Sequence, residues 1–555
     1  MSSPTVTVSD RYTDDQVEHF RESGFWRDQI LLDLLEVQVH ERADVVYVLD
    51  GTSTLTYRET YEQAVRLAVG LRRLGVDRGD RVAVQLPNWT EFVVVMAAIG
   101  AAGGIIVPIM PIYRDDEVGF VLAHSGATTS VTAGEFRGFD YAAMHEALRA
   151  ENPAVTNLVT VRVPDGQGPT GSVALESLFV DGAIEDLLAE LGPRPGGDDP
   201  FTIVYTSGTT SRPKGCFHTF NTMCASARAI GVSIDYTGDD VQFGPSPISH
   251  STGLVTSIML PALHGATSVL MPAWDPAEGV RMVQEHRCTV TTTATAFLQM
   301  FMGAFDPTQH DASSLRIWVC AGSPIPGEIV RRAREKFAGC QVLSLYGRSE
   351  NLLTTMCTVR DPEDRSATSD GSALMGAEVQ IVDPFGEQVP AGTEGDVAYR
   401  GPSHMLGYYR DPEQTALLFT DAGFSRSGDL GVMDADGFVR ITGRLKDIVI
   451  RGGMNISARE LEELLGQHPA VAQVAVVGMP DERLGERVCA YVVPAGADAP
   501  GLADVVQFLR ERKIATAKLP ERLEIITQLP LTATGKVQKH VLRADIAAKL
   551  ETTAV

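Results

Sequence analysis

The stretch F-T-I-V-Y-T-S-G-T-T-S-R-P-K-G, Phe201 to Gly215, places a strand-like apolar run directly before a loop of small residues and one lysine. Gly, Ser and Thr clusters mark loops in general, so a flexible surface loop is one interpretation. A phosphate-holding loop is the other, because small residues let backbone N–H groups approach an anion and Lys214 adds a positive charge. By itself the stretch favours the phosphate-holding loop only modestly.

The loop does not match the Walker A phosphate-binding pattern of P-loop nucleoside triphosphatases (NTPases). That pattern, G-x-x-x-x-G-K-[ST], needs glycine at position 213 and serine or threonine at position 215. The chain has Pro213 and Gly215 instead, and the proline stiffens the point at which such a loop would begin its helix. A P-loop NTPase is therefore disfavoured.

Composition indicates a soluble, acidic protein of several domains. A chain of 555 residues exceeds what one hydrophobic core usually serves, so we expect two or more domains. The net charge of −24 disfavours nonspecific nucleic-acid binding, which rewards basic surfaces, but leaves room for a nucleotide ligand in a local positive pocket. Seven cysteines without a C-x-x-C pair fit reduced thiols. Met1 to Asp15 lacks the pattern of a secretory signal, so we expect a cytoplasmic protein.

One apolar segment has the length of a membrane span. Phe92 to Tyr113 contains no charged residue over 22 positions. Glycines and prolines interrupt it, however, and we predict a buried helix near 91–101 followed by a strand from Ile105 to Val107. We therefore expect no integral membrane span.

Strand and helix patterns alternate through the first 345 residues. The alternation is clearest near 60–85, 105–124, 154–162, 200–230, 266–288 and 315–345. It predicts an α/β fold with largely parallel sheets. Gly/Ser/Pro loops follow the strands that end near Val204, Val319 and Leu345. Because ligands bind at the carboxyl ends of strands in open α/β sheets, we expect these three loops to converge on a site.

The pattern changes after residue 375. Short strands separated by turns, at 378–383, 395–400 and 437–442, predict a β-rich subdomain. Past residue 447 the predicted order is helix, two strands, helix and strand, which is enough for a small α+β domain. The predicted elements are 458–467, 472–477, 487–493, 502–513 and 522–527.

Several polar stretches are ambiguous when taken singly. An aspartate in Ser427-Gly-Asp429 could accept hydrogen bonds from vicinal hydroxyls such as those of a ribose, but such pairs are mostly turns. Charged and apolar residues alternate over 443–456 before a Gly-Gly pair, as in a strand with one solvated face. Ser457 and Glu460 fit a capping box and are interpreted as structural. Lys536 stands in a turn, where a lysine is usually just solvated.

Together and in order, these stretches resemble the AMP-forming acyl-CoA synthetases of the adenylate-forming superfamily, and the resemblance runs over nearly the whole chain. The motifs that carry it are Y-T-S-G-T-T-S-R-P-K-G at 205–215, S-H-S-T-G at 249–253, A-G-S-P at 321–324, Y-G-R-S-E at 346–350, S-G-D at 427–429, G-R-L-K-D-I-V-I-R-G-G-M-N-I at 443–456 and T-G-K at 534–536. Departures are small: Ser211 replaces a frequent glycine and Ser349 a threonine. Arg348 occupies a variable position that would bear on the acyl pocket.

The resemblance implies an acid–thiol ligase that uses ATP, Mg²⁺ and coenzyme A. A carboxylic acid would be joined to the α-phosphate of ATP with release of pyrophosphate, and its acyl group would pass to the thiol of coenzyme A. The residues implied to bind ATP are Thr206, Ser207, Gly208, Thr209, Thr210, Lys214, Gly322, Ser323, Pro324, Tyr346, Gly347, Ser349, Asp429, Arg444 and Lys536. Those implied to form the acyl pocket are His250, Ser251, Gly253, Ala296, Gly322 and Tyr346.

Within that set the resemblance assigns distinct roles. Lys536 and His250 are the implied catalytic residues: Lys536 would bridge the substrate carboxylate and the α-phosphate, and His250 would gate the acyl pocket. Glu350 would hold Mg²⁺. The 206–210 loop and Lys214 would enclose the β- and γ-phosphates. Adenine would lie against 322–324, and the ribose against Asp429 and Arg444.

The resemblance also implies a mobile C-terminal domain. Residues 1–446 would form the adenylation domain and residues 447–555 the small domain, with Asp447 as the hinge. The small domain would first present Lys536 and then turn to present Arg451, Gly452 and Gly453 to coenzyme A.

The identity of the acid is less constrained. Phe243 to His250 lacks the aspartate that amino-acid-activating relatives use, and Ser251 replaces the asparagine of many aryl-acid enzymes. Small residues at 291–297 predict a roomy apolar pocket. The chain most resembles bacterial ligases for alicyclic and medium-chain acids, such as cyclohexanecarboxylate. The alternatives are an acyl-AMP ligase that loads a carrier protein and a luciferase-like oxygenase, and a homodimer is left open.

Overall fold

Two large sheets with parallel centres form the first part of the structure, a computed structural model that describes residues 6–163, 168–206, 212–322, 325–532 and 536–553. The strands, numbered along the chain, are β1 Val46–Leu49, β2 Thr54–Thr56, β3 Arg81–Gln85, β4 Ile105–Pro108, β5 Thr129–Ala133, β6 Glu135–Phe136, β7 Phe139–Asp140, β8 Asn157–Val161, β9 Val173–Ala174, β10 Pro200–Tyr205, β11 Gly215–Thr219, β12 Val241–Gly244, β13 Thr267–Leu270, β14 Val290–Thr293, β15 Ile317–Ala321, β16 Gln341–Tyr346, β17 Thr355–Met356, β18 Ser372–Ala373, β19 Glu378–Val382, β20 Glu394–Arg400, β21 Gly407–Tyr408, β22 Ser425–Met433, β23 Val439–Arg444, β24 Val449–Arg451, β25 Met454–Ile456, β26 Val471–Asp481, β27 Gly485–Pro494 and β28 Arg522–Ile525.

Helices cover and connect these sheets. They are α1 Asp14–Glu22, α2 Leu31–Arg42, α3 Tyr57–Leu74, α4 Thr90–Ala101, α5 Asp115–Ser125, α6 Tyr141–Glu151, α7 Ile184–Leu191, α8 Phe220–Ser233, α9 Ser251–Gly253, α10 Leu260–His264, α11 Pro276–His286, α12 Thr295–Ala304, α13 Gly327–Lys336, α14 Arg365–Thr368, α15 Pro412–Ala416, α16 Ala458–Leu465, α17 Leu502–Glu511 and α18 Lys539–Thr553. A π-helix, Leu254–Met259, joins α9 to α10. Short 3₁₀ turns span Val8–Asp10, Leu175–Leu178, Leu445–Asp447 and Thr516–Lys518.

The strand order of both large sheets confirms the predicted α/β class. One sheet runs β18-β17-β16-β15-β14-β12-β13-β1-β2 and is parallel from β16 to β1. The other runs β21-β11-β10-β4-β3-β5-β8-β9 and is parallel from β10 to β9. Because β15 and β16 are parallel neighbours, the loops that follow them lie side by side at one edge. The loop after β10 belongs to the second sheet.

The β-rich subdomain and the small C-terminal unit also form as predicted. Strands β19, β20, β22 and β23 make an antiparallel sheet, in which β19, β20 and β23 lie at the three predicted positions and β22 was not predicted. Past residue 447, β24 to β28 make a second sheet that packs against α16, α17 and α18. The terminal helix α18 was absent from the prediction.

Local sequence explains where the helices begin and end. Helix α3, predicted near residue 60, begins at Tyr57 because Thr56 caps it: the Thr56 hydroxyl accepts from the Glu59 N–H, and the Glu59 carboxylate accepts from the Thr56 N–H. It ends at Gly75, whose φ of +100° suits glycine. The predicted box at Ser457 forms only in part: the Ser457 hydroxyl accepts from the Glu460 N–H, but the Glu460 carboxylate binds Lys518.

Most of the apolar segment 92–113 is core, as expected. Strand β4 is buried throughout, and every residue of helix α4 except Glu91 is buried, whereas Ile112 is 54% exposed. Among the helices of the described residues, none has both the length and the apolar character that crossing a bilayer requires. All seven cysteines are free and buried, which agrees with the predicted reduced thiols.

Candidate functional site

A cavity of about 1780 Å³ lies where the ends of β15 and β16 face the β-rich subdomain and the C-terminal unit. The walls combine residues that are far apart in sequence. Of the residues predicted to bind ligands, those lining it are Ala296, Gly322, Tyr346, Gly347, Asp429, Arg444 and Lys536, together with the predicted hinge residue Asp447. Most of the predicted nucleotide contacts that the structure describes therefore share one cavity.

Lys536 reaches into this cavity and lies against Gly322. The Thr532 N–H donates to the Lys536 carbonyl, 2.7 Å away, which fixes the backbone of the lysine. A Cβ atom on Gly322 would lie 3.3 Å from Cε and 3.9 Å from Nζ of Lys536. Gly322 also has a φ of +74°, so a side chain there would be strained. Glycine therefore both permits the turn after β15 and makes room for the ammonium.

The surroundings of Lys536 lower the pKa of its ammonium group. Burial, and after it the nearby Arg444 guanidinium, lower the pKa of Lys536 to about 8 against the opposing effect of Asp429 and Glu350. Among the described residues, no acceptor lies within hydrogen-bonding distance of the ammonium. Such a cation, placed in a cavity without a fixed partner, suits an anionic ligand.

Asp429 is held by two neighbours. The Tyr346 hydroxyl donates to Asp429 Oδ2 at 2.6 Å, and Arg444 Nε lies 2.8 Å from Oδ1. Arg444 is the cross-strand partner of Asp429 in the β22–β23 ladder, so the pairing follows from strand register. The carboxylate is nearly buried, and each of its oxygens retains acceptor capacity beyond these contacts. The group can therefore accept hydrogen bonds from vicinal hydroxyls, as predicted for a ribose.

Tyr408 contacts both Glu350 and Lys214. The Tyr408 hydroxyl donates to Glu350 Oε1 at 2.7 Å. The Lys214 ammonium lies 4.7 Å from the centre of the Tyr408 ring and donates to Gln414 Oε1 at 2.7 Å. Neither Glu350 nor Lys214 belongs to the lining of the large cavity. Tyr408 was not singled out in the sequence, because a Gly-Tyr-Tyr run after a loop has no distinguishing pattern.

The predicted acyl-pocket residues are divided between two places. Ala296, Gly322 and Tyr346 line the cavity, whereas His250, Ser251 and Gly253 do not. His250 caps α9, its Nδ1 accepting from the Thr252 N–H at 3.3 Å. Burial lowers the pKa of His250 to about 3, with a further contribution from the Lys536 charge, so the imidazole is neutral near pH 7. Its catalytic role stays a prediction.

Arg348 of the Y-G-R-S-E segment does not line the large cavity. Arg348 donates to the Arg426 carbonyl at 2.9 Å and to Ser425 Oγ at 3.0 Å. These contacts brace β22, and a bearing of Arg348 on the acyl pocket stays a prediction. The Ser349 carbonyl accepts from His218 Nε2 at 2.7 Å, which ties this segment to β11.

The predicted hinge and the Gly-Gly hairpin lie apart. Asp447 accepts from Arg543 Nη2 at 2.9 Å, so α18 holds it in place. Gly452 and Gly453 form an exposed turn between β24 and β25, with φ values of +56° and +85°. Arg451 pairs with Glu521 at 2.8 Å. In this arrangement Lys536 is at the cavity and the hairpin is not.

Some predicted residues lie outside the described part of the chain. These are Ser207, Gly208, Thr209 and Thr210 of the phosphate loop, and Ser323 and Pro324 of the adenine segment. Thr206, at the near end of the loop, accepts from the Lys214 N–H through its hydroxyl at 3.2 Å. The two ends of the loop are thereby joined.

Charged residues that sequence reasoning did not single out join the C-terminal unit to the β-rich subdomain. Arg440 Nη2 of β23 lies 2.6 Å from Glu463 Oε1 of α16, and Arg459 Nε lies 3.0 Å from the same oxygen. Asp370 Oδ2 faces both guanidinium groups at 3.6 to 3.7 Å. All four line the cavity, and we name them the interface cluster. Local sequence patterns do not reveal such a cluster, because its members are spread from Asp370 to Glu463.

Comparison with known proteins agrees with this geometry. Residues 35–409 match the model of the AMP-binding enzyme family, and residues 460–536 match the AMP-binding enzyme C-terminal domain. The chain is 35% identical to the medium-chain fatty-acid–CoA ligase of Escherichia coli strain K12, over 99% of this chain and 96% of that one. It is 34% identical to the 3-[(3aS,4S,7aS)-7a-methyl-1,5-dioxo-octahydro-1H-inden-4-yl]propanoyl:CoA ligase of Rhodococcus jostii strain RHA1, over 92% and 98%.

A solved structure has a similar fold. The crystal structure of ATP-bound MatB from Rhodopseudomonas palustris superposes with a TM-score of 0.83 at 28% identity, covering 94% of this chain and 99% of that one. The family match spans well over half of the chain, and its two parts meet at the cavity that holds Lys536. The chain belongs to the AMP-binding enzyme family.

Proposed function

We propose that the chain activates an apolar carboxylic acid with ATP and transfers the acyl group to coenzyme A. The observation that carries the proposal is the placement of the Lys536 ammonium beside Gly322, in the cavity where Tyr346, Asp429 and Arg444 form a hydroxyl-binding cluster. The relatives named for coenzyme A ligases, one for medium-chain fatty acids and one for a bicyclic propanoate, support the substrate class.

In the first step a substrate carboxylate oxygen attacks the α-phosphorus, and the bond to the pyrophosphate oxygen breaks. Both reactants are anions, so the step needs positioning and positive charge at the reacting centre. The charged form of Lys536 supplies that charge, and it has no competing acceptor among the described residues. Asp429 would orient the ribose, and Lys214 lies where the phosphate loop returns to β11.

Glu350 would hold a magnesium ion during this step. Mg²⁺ is typically bound by one or two carboxylates together with substrate phosphates and waters, so a single carboxylate fits the group. One Glu350 oxygen accepts from Tyr408, and the other receives no hydrogen bond from the described residues. When bound, the ion neutralises charge on the phosphates and leaving group.

In the second step the thiol sulfur of coenzyme A attacks the acyl carbonyl, and AMP leaves. We propose that residues 447–555 rearrange about Asp447 between the steps. The support is that the Gly452-Gly453 hairpin is exposed while Lys536 occupies the cavity. Its flanking side chains Ile450 and Met454 are large apolar groups, 54% and 44% exposed, which a second arrangement could cover.

The central test is a panel of carboxylic acids scored by pyrophosphate release, with and without coenzyme A. Alicyclic and medium-chain acids are expected to release pyrophosphate, and coenzyme A is expected to increase turnover by removing the acyl-adenylate. Pyrophosphate release that coenzyme A leaves unchanged would point to a carrier protein as acceptor. No release with any acid would contradict the proposal.

The first prediction separates the two half-reactions. Lys536→Ala removes the charge at the α-phosphate and is expected to reduce adenylation by about 10²-fold or more, in line with the loss of one positioned electrostatic group. Thioester formation from supplied acyl-adenylate is expected to stay within about threefold of the unmodified protein. Single-turnover assays measure each step, and equal loss of both would contradict the role of Lys536.

The second prediction concerns pH. Since burial lowers the pKa of Lys536 to about 8, the fraction of free enzyme with a charged lysine falls as the pH rises through that value. The kcat/KM of ATP–pyrophosphate exchange, which excludes the thiol of coenzyme A, is therefore expected to fall above about pH 8. In Lys536→Arg the guanidinium stays charged, so the decline should move to higher pH. An unchanged decline in that variant would assign it to another group.

The third prediction concerns the interface cluster. Glu463→Gln keeps the shape of the side chain but weakens its pairing with Arg440, so the arrangement that presents Lys536 becomes less populated. We expect adenylation to fall by about fivefold, the equivalent of roughly 1 kcal/mol for a partly exposed pair. Thioester formation from supplied acyl-adenylate should not fall.

The matched control for that variant is Glu460→Gln. Glu460 lies on the same helix but pairs with Lys518, within the C-terminal unit. It should leave the ratio of the two half-reactions unchanged. The role of the interface cluster is contradicted where both variants shift the ratio alike, or where neither does.

A further inference from the structure

Tyr408 stands between two groups that the proposed function places on the phosphates of ATP. Its hydroxyl donates to Glu350 Oε1 at 2.7 Å, and its ring centre lies 4.7 Å from the Lys214 ammonium. The side chain is 6% exposed, so its ring is fixed by packing. One buried residue therefore contacts both the carboxylate and the cation.

The backbone around Tyr408 is fixed from both sides. Strand β21 pairs with β11, so that Tyr408 lies opposite Cys216, two positions after Lys214. The Met405 N–H donates to the Glu350 carbonyl at 2.8 Å, which ties the approach to β21 to the Y-G-R-S-E segment. Both connections are backbone hydrogen bonds, so they keep the backbones that carry Tyr408 and Glu350 close together.

The contact engages only one oxygen of the carboxylate. Glu350 Oε2 receives no hydrogen bond or ion pair from the part of the chain that the structure describes. A glutamate side chain has three rotatable bonds, and a hydrogen bond to one oxygen removes much of that freedom. The second oxygen is then held in a constant direction, available to a cation.

We infer that Tyr408 is a positioning residue that orients Glu350 for Mg²⁺ and supports Lys214 beside it. The inference rests on the proposed function. The hydroxyl restrains the carboxylate, and the electron-rich ring face stabilises the ammonium. Tyr408 itself touches neither the nucleotide nor the metal in this assignment. Its effect should therefore appear in how binding depends on the metal and not in the chemistry of the bound complex.

The test compares nucleotide binding with and without the metal. Tyr408→Phe removes the hydroxyl and keeps the ring under Lys214. The affinity for ATP, measured by calorimetry without acid or coenzyme A, is expected to be unchanged in the absence of divalent ions. The gain in affinity on adding Mg²⁺ should shrink by about tenfold, the effect of losing one hydrogen bond to a charged group. The half-saturating Mg²⁺ concentration should rise accordingly.

Two further variants make the result specific. Tyr409→Phe is the matched control, because the Tyr409 hydroxyl makes a 3.4 Å contact with the Ser125 carbonyl and does not reach Glu350. It should retain the full response to Mg²⁺. Glu350→Gln should lose most of that response, and adding Tyr408→Phe to it should change nothing more, since both act through one carboxylate.

The outcomes distinguish this inference from the proposed function. An equal Mg²⁺ response in the Tyr408→Phe variant and the unmodified protein would overturn the inference, as would additive losses in the double variant. A loss of ATP affinity that is the same with and without metal would also overturn it, since that would indicate a structural role. Failure of the unmodified protein to bind ATP at all would contradict the proposed function instead.

Discussion

The burial of one ammonium dominates the candidate site: Lys536 of the C-terminal unit lies in a cavity whose walls come from both parts of the chain. Burial disfavours the charged form of Lys536, and Arg444 adds to the cost. The charges of Asp429 and Glu350 offset part of this cost and favour the charged lysine. Gly322 supplies the space. An anionic ligand would complete the compensation.

Two contacts of the candidate site residues follow from strand pairing. The β22–β23 register sets Arg444 opposite Asp429, and the β11–β21 register sets Tyr408 beside the strand that begins just after Lys214. Backbone ladders thus place charged groups within hydrogen-bonding distance before any ligand arrives. This preorganisation limits the conformational entropy that binding would cost. The interface cluster extends the same principle across the boundary with the C-terminal unit.

Sequence reasoning succeeded where the pattern was local and failed where it was not. The helix α3, the strand β3 and the buried character of 92–113 follow from periodicity and from capping residues at known offsets. The contacts of Arg348 with Ser425 and Arg426 were not predicted, because these residues lie 77 and 78 positions further along the chain. The predicted capping box at Ser457 formed only in part because Lys518, 58 positions away in sequence, binds the Glu460 carboxylate.

The amino-acid sequence by itself determined the α/β class, the order of the strands along the chain, and the family, because these depend on periodicity and on motifs read in order. Only the tertiary structure decided which motif residues meet. It joined Lys536 to Gly322, Glu350 to Tyr408, and Asp370 to Arg459. The physical reason is that hydrogen bonds and charge interactions depend on distance and direction in space. Sheet order and the contact between domains set these distances and directions, whereas the separation of two residues in sequence does not.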